Sequence, residues 1–285
     1  MKILVVGGTR FMGKHLVCEL IEKGHDVTIA NRGITPQNFG NAVEHLKIER
    51  SDSENLKNIF SKKHYDIVFD CIAYCSNDVK ALLDAIDCEK YIFISTTAVY
   101  NKHIDTKEEE FNPLLKKLVW CDRLDSSYNE VKRQAECAVA QKYAHIKYIS
   151  VRFPFVVGTD DYTKRLYFYI DHILNGKPMF IDNYSNQMAF VRSDEAGKFL
   201  AFLAGTNYCG EINGASEQMV SVSEIAKYIK SKTGKISLLS DDGDQAPYNG
   251  ESQYSINIDR AKRLGFSFTP LKEWIFELID YYMCA

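Results

Sequence analysis

The chain predicts an α/β protein: a doubly wound parallel sheet followed by a smaller C-terminal α/β unit. Three observations predict it. Short apolar runs alternate with helical patterns through the first half, with no repeat or low-complexity segment between them. The first run passes through a glycine-rich turn straight into a helix. The run DIVFDCI at 66–72 is apolar on both faces, as a strand buried in a parallel sheet must be. At 285 residues there is material for one large or two modest domains.

Residues 2–20 (KILVVGGTRFMGKHLVCEL) read as strand, turn and helix, with Phe11, Leu16, Val17 and Leu20 on the apolar side. Glycine lets such a turn reverse tightly and lets backbone N–H groups approach a pyrophosphate at the positive end of the helix dipole. Gly7, Gly8 and Gly13 fit that task, while Arg10 takes the middle position of the usual G-x-x-G-x-x-G spacing. The turn Gly7, Thr9, Arg10, Phe11, Met12 and Gly13 is therefore the expected cofactor cradle. A second strand follows at 26–30 and ends in Asn31-Arg32. In a dinucleotide fold this strand end meets the adenosine ribose. An acid there suits NAD, whereas a guanidinium pairs with a 2′-phosphate, so Asn31 and Arg32 favour NADP with NAD as the alternative.

A third strand is expected at 44–48, a helix capped by Asp52 or Ser53 at 53–62, the buried strand at 66–72, a helix at 78–86 and a fifth strand at 91–94. Ala73 and Tyr74 fall at the carboxyl end of the fourth strand, where open α/β sheets bind ligands. The fifth strand ends in Ser95-Thr96-Thr97, which puts hydroxyls on the same edge. Residues 101–127 are polar and irregular, with a possible helical stretch at 114–120, and a connection this long is expected to be a lid or disordered.

Tyr128-Asn129-Glu130-Val131-Lys132 then opens a helix that runs to about residue 143. Tyr and Lys four apart share a helical face, so an ammonium can lower the phenol pKa and prepare it for proton transfer. Tyr143/Lys147 and Tyr228/Lys232 have the same spacing. Tyr143 and Lys147 span a helix end and the next strand at 146–151, and Tyr228/Lys232 lies far beyond the alternating half. Only Tyr128/Lys132 adjoins the hydroxyl-bearing strand end.

The second half predicts helices at 162–175, 194–204 (capped by Ser193 or Asp194), 220–233 and 271–282, with short strands at 179–181, 211–213 and 236–239. The expected division is 1–154 plus about 186–210 as a dinucleotide-binding domain, and about 155–185 plus 211–285 as a substrate domain.

The ordered set GGTRFMG (7–13), ISTTAVY (94–100), YNEVK (128–132), RFPFVVG (152–158), FVRSDEAG (190–197) and SINIDRAKRLGF (255–266) resembles the extended short-chain dehydrogenase/reductase family. Its members are mostly nucleotide-sugar epimerases, dehydratases and reductases. The resemblance implies a catalytic Thr96, Tyr128 and Lys132, places Pro154 and Phe155 beside the nicotinamide, puts Ala73 against its ribose, and lets Lys132 hold that ribose. It also implies an NAD(P)-dependent epimerase or reductase acting on a nucleotide sugar or related hydroxyl or keto substrate, with Arg165 and Arg192 as candidate holders of the nucleotide. Sugar dehydratases of the family carry an Asp-Glu pair after the threonine; here Thr97 and Ala98 stand there, so dehydration by that route lacks its acid and base. GGTRF with the following NRG is similar to an atypical branch that includes chloroplast stem-loop-binding proteins. That gives an alternative reading, a non-catalytic or RNA-associated protein that retains the dinucleotide fold.

Charge and composition narrow the partners. A net charge of −3 and a pI near 6.2 supply no electrostatic argument for nucleic acid or anionic membrane. No apolar stretch is long enough to span a bilayer, and the chain reads as soluble and cytoplasmic. The eight cysteines lack C-x-x-C spacing and the seven histidines form no H-x-x-x-H pair, so reduced thiols and no metal are expected. A homodimer is a possible assembly.

Overall fold

A computed structural model describes residues 1–284. The chain runs β1 (Lys2–Val6), α1 (Phe11–Glu22), β2 (Asp26–Asn31), β3 (Val43–Lys47), α2 (Ser53–Phe60), β4 (His64–Asp70), α3 (Ser76–Leu83), β5 (Asp87–Thr96), α4 (Tyr128–Lys142) and β6 (Lys147–Phe153). It continues through β7 (Phe155–Val157), α5 (Arg165–Asn175), β8 (Pro178–Phe180), β9 (Gln187–Met188), β10 (Phe190–Arg192), α6 (Ser193–Ala204) and β11 (Gly210–Asn213). The last elements are β12 (Val220–Ser221), α7 (Val222–Thr233), β13 (Leu238–Leu239), β14 (Asp244–Gln245), α8 (Asp259–Arg263) and α9 (Leu271–Cys284).

Seven strands form one parallel sheet in the order β11-β6-β5-β4-β1-β2-β3. The doubly wound architecture follows from how the strands divide their side chains. Ile3 and Val5 face a core that contains Leu16 and Val17 of α1 and Phe199 of α6, whereas Leu4 and Val6 face one that contains Leu56, Leu82 and Ala135. Helices are thus needed on both faces. The chain reverses direction across the sheet between β1 and β4, the switch point at which such sheets open a ligand crevice. The first core continues without a break into α5, α7 and α9.

Several expectations need correction. The strand at 210–213 belongs to the large sheet, paired with β6, and not to the second unit. Four residues that include Gly210, Glu211 and Asn213 carry too little alternation to reveal a partner. Residues 101–127 are not disordered but tied into the fold. Thr106 N–H donates to the Ser255 carbonyl, Arg152 donates to the carbonyls of Glu108 and Phe111, and Gln141 donates to those of Pro113 and Lys116. The stretch at 114–120 is not helical; side chains of α4 satisfy its backbone, Gln134 accepting the Val119 N–H. The residue before α6 is Arg192; Ser193 donates to Asp160 and Asp194 pairs with Arg192, so neither caps the helix. Asp52 does cap α2, accepting the Asn55 N–H at 2.9 Å.

Candidate active site

The carboxyl ends of β1, β2 and β4 open into a groove of about 740 Å³. Gly7 and Gly8 turn the chain at φ +104° and +83°, a region closed to most side chains. Gly13 lets α1 start against that turn, since a Cβ there would lie 3.0 Å from Gly8 Cα. Asn31 accepts from Gly33 N–H at 2.7 Å and meets His45 Nε2 at 3.0 Å through Oδ1, which leaves its buried Nδ2 without a partner. That orphaned donor, the open glycine turn and the exposed Arg32 beside it are features that a dinucleotide's ribose and pyrophosphate would satisfy. Thr9, Arg10, Phe11 and Met12 also line this groove.

A second cavity of about 480 Å³ adjoins the first, and Phe11, Met12, Cys71, Tyr74, Arg123 and Tyr162 line both. Thr96, Tyr128 and Lys132 stand on its walls with Pro154 and Phe155. Each is positioned by its element. Thr96 ends β5, and its hydroxyl accepts the Ala98 N–H at 3.2 Å. Ser127 caps α4, so Tyr128 is the helix's first residue. Lys132 lies one turn on, buried, and donates to the carbonyls of Ala73 at 2.8 Å and Ile94 at 2.9 Å.

The electrostatics depart from the expected Lys-to-Tyr effect. Burial pushes the Lys132 ammonium down to about 8, opposed by Asp70 and Glu136. Tyr128 remains 46% exposed, yet the desolvation of its surroundings still raises its phenol above the ordinary value. The Thr96 hydroxyl is the largest influence in the opposite direction, followed by Arg165 and Arg123. The phenol is therefore protonated at neutral pH, the state of a proton donor.

Two other placements differ from expectation. Ala73 is buried in the core on the α3 and α4 side and offers only its carbonyl, to Lys132; Cys71, Ile72 and Tyr74 line the groove instead. Arg192 is held by Asp194, whereas Arg165 does line the second cavity. The competing tyrosines serve as struts, Tyr143 to Asp84 and Tyr228 to Asp280. Among the described residues the one carboxylate on the second cavity's wall is Glu251, which pairs with Lys102, so no free acid or base of a dehydratase type is present. At the opposite edge of the sheet His64, Asp66 and Glu89 approach one another, but Asp66 already accepts the Lys2 N–H and His64 meets Asp87.

Sequence reasoning missed the supports. Asp70, fully buried, accepts from Arg50, Tyr91 and the Ala73 N–H and so fixes the turn after β4. Arg123 was missed altogether. It sits in an irregular stretch with no local pattern, and only the tertiary fold brings it over Tyr74.

A model of the NAD dependent epimerase/dehydratase family matches residues 3–213. The chain belongs to this family. Membership accounts for the Gly7–Gly13 turn and for the order of motifs along the sheet. A chloroplast stem-loop binding protein of 41 kDa from Arabidopsis thaliana is 27% identical over 247 residues, 79% of this chain and 61% of that protein; the chain thus spans only part of that relative. The UDP-glucose 4-epimerase of Thermotoga maritima, solved with UDP-glucose, has the same fold at a TM-score of 0.78 and 20% identity, covering 99% of this chain and 98% of its own. The UDP-glucuronic acid 4-epimerase of Bacillus cereus, solved with UDP-glucuronic acid and NAD, matches at 0.76 and 18%, covering 99% of each chain.

Proposed function

We propose that this member of the epimerase/dehydratase family is an NADP(H)-dependent epimerase or reductase acting on a nucleotide sugar or a related hydroxyl or keto substrate. One observation carries the reading: Thr96, Tyr128 and Lys132 line a single cavity that shares its neck with the glycine-turn groove. A bound dinucleotide supplies or accepts the hydride. Thr96 hydrogen-bonds the substrate oxygen, and Tyr128 transfers the proton. Lys132 ties the ends of β4 and β5 to α4 and keeps one N–H for a ribose hydroxyl, two of its three donors being engaged. Removal of the Tyr128 proton is favoured by Thr96, Arg165 and Arg123, the groups that already pull its pKa down. NADP is preferred because Asn31 has only a donor to offer and Arg32 pairs with no carboxylate among the described residues. Residues 1–154 with the α6 and β11 region hold the cofactor, and the remainder holds the substrate.

Tyr128→Phe keeps the ring and removes the proton. It is expected to lower turnover by about 100-fold or more while NADPH affinity stays within about twofold, measured by steady-state kinetics and fluorescence titration. Unchanged turnover would remove Tyr128 from the chemistry. The stem-loop-binding name of the Arabidopsis relative supports a second reading, an RNA-associated protein on the same fold. A salt-dependent RNA shift, without any substrate-dependent oxidation or reduction of nicotinamide, would select it.

A further inference from the structure

The chain has ten arginines, and among the described residues five of them, Arg50, Arg133, Arg152, Arg192 and Arg260, donate side-chain hydrogen bonds within the fold. Four of the other five, Arg10, Arg32, Arg123 and Arg165, line the two joined cavities. Unpaired guanidinia gathered on one site predict an anion there. Arg32 and Arg165 stand in separate lobes, Arg123 lines both cavities at the neck, and Arg10 lines the first groove beside Tyr162, which borders the neck.

Each lies over a tyrosine that lines both cavities. Arg10 lies with its guanidinium 5.7 Å from the centre of the Tyr162 ring, and Arg123 lies 3.7 Å from that of Tyr74. Stacking on a ring face leaves the N–H edges free for an acceptor. Both tyrosines make a further aromatic contact. Tyr162 meets Phe11 edge to face at 6.0 Å, and Phe11 is a non-glycine residue at φ +53°, the kind of local strain that collects at ligand clamps. Tyr74 meets Tyr128 edge to face at 6.2 Å, and the turn that carries Arg123 is anchored by Cys121 N–H donating to Ser76 and by Asn77 donating to the Cys121 carbonyl.

We propose that Arg10 on Tyr162 and Arg123 on Tyr74 form a two-sided clasp on the pyrophosphate bridge of a dinucleotide lying through the neck, and that this clasp slows cofactor release. The proposal rests on the dinucleotide reading above. It also gives the substitution of Arg10 for the fingerprint glycine a task separate from the 2′-phosphate, which falls to Arg32 alone. Slow release is what an epimerase requires, since it must keep the cofactor between the two hydride transfers.

Dissociation of NADPH and of NADH from the full chain, followed by stopped-flow fluorescence, tests this. Arg123→Ala is expected to raise both dissociation rates by about tenfold or more, because the bridge is common to both cofactors and a charge-assisted bond is lost. Arg123→Lys should recover part of the effect. Arg32→Ala should weaken NADPH and leave NADH nearly unchanged. Binding of adenosine 2′-monophosphate, which has no 5′-phosphate, should be insensitive to Arg123→Ala. Wild-type rates in Arg123→Ala, or a loss confined to NADPH, overturn the clasp while leaving the dinucleotide site intact. Failure of the wild-type chain to bind either dinucleotide overturns both.

Discussion

Lys132 carries a pH signature that its place in the fold dictates. Its ammonium is buried and lowered to about 8, against an ordinary lysine value of 10.5 in the unfolded chain. Between those two values the unfolded chain binds a proton that the folded chain does not, so this residue makes stability rise with pH across that window and leaves it flat below. Lys132→Met removes the slope. Urea unfolding of the unliganded protein at about pH 7.5 and about pH 9.5 should show wild type gaining on the order of 1–2 kcal/mol relative to the variant. The upper limit is set by Tyr91 and Tyr248, whose raised values give an opposite slope at higher pH. A difference that does not change with pH would mean that the Lys132 ammonium stays charged in the fold. Tyr128 and Lys132 were legible because their spacing obeys helix geometry. The burial that lowers Lys132 was not, since the Ala73 and Ile94 carbonyls that draw Lys132 inward belong to the turn after β4 and to β5.

At the scale of elements, the cofactor turn depends on how closely α6 approaches α1. A Cβ on Gly197 would lie 2.5 Å from His15 Cβ and 2.7 Å from Leu16 N, so the two helices meet backbone to backbone. Gly197→Ala must push α1 outward, and α1 carries Phe11 and Met12 at the neck. We expect a loss of about 1–3 kcal/mol of stability in denaturant and weaker binding of the proposed dinucleotide. Gly205→Ala, where the new methyl would meet only Phe202 O at 3.7 Å, is the control and should be close to neutral. The alternation of strand and helix was legible because each element of the sheet is apolar with its own period. Residues 101–127 were not legible, because their backbone is satisfied by Gln134, Gln141 and Arg152 rather than by neighbours in sequence. Arg123 was invisible for the same reason.

At the scale of the molecule, one buried charge cluster joins the sheet to the segments around it. Arg152 of β6 is fully buried and donates to Glu136 of α4, to the Tyr100 hydroxyl and to the carbonyls of Glu108 and Phe111. Glu136 also accepts from Ser95, next to Thr96, at 2.5 Å. Tyr100 reaches Asn213 of β11, whose N–H donates to Glu108, and Arg260 of α8 pairs with Glu108 and Glu109. The RFPFVVG segment marked Arg152 in the sequence, but nothing local says that an arginine will be enclosed. Arg152→Met leaves Glu136 ionised, buried and unpaired, at a cost of about 3–5 kcal/mol. The double variant Arg152→Met with Glu136→Met removes both charges and should recover more than half of the single variant's loss. It should stay below wild type, since the Glu108 and Phe111 carbonyls lose their donor. Unfolding free energies for the four proteins close the cycle. A double-variant loss equal to the sum of the two single losses would mean that the pair is not coupled and that the cluster does not hold these elements together.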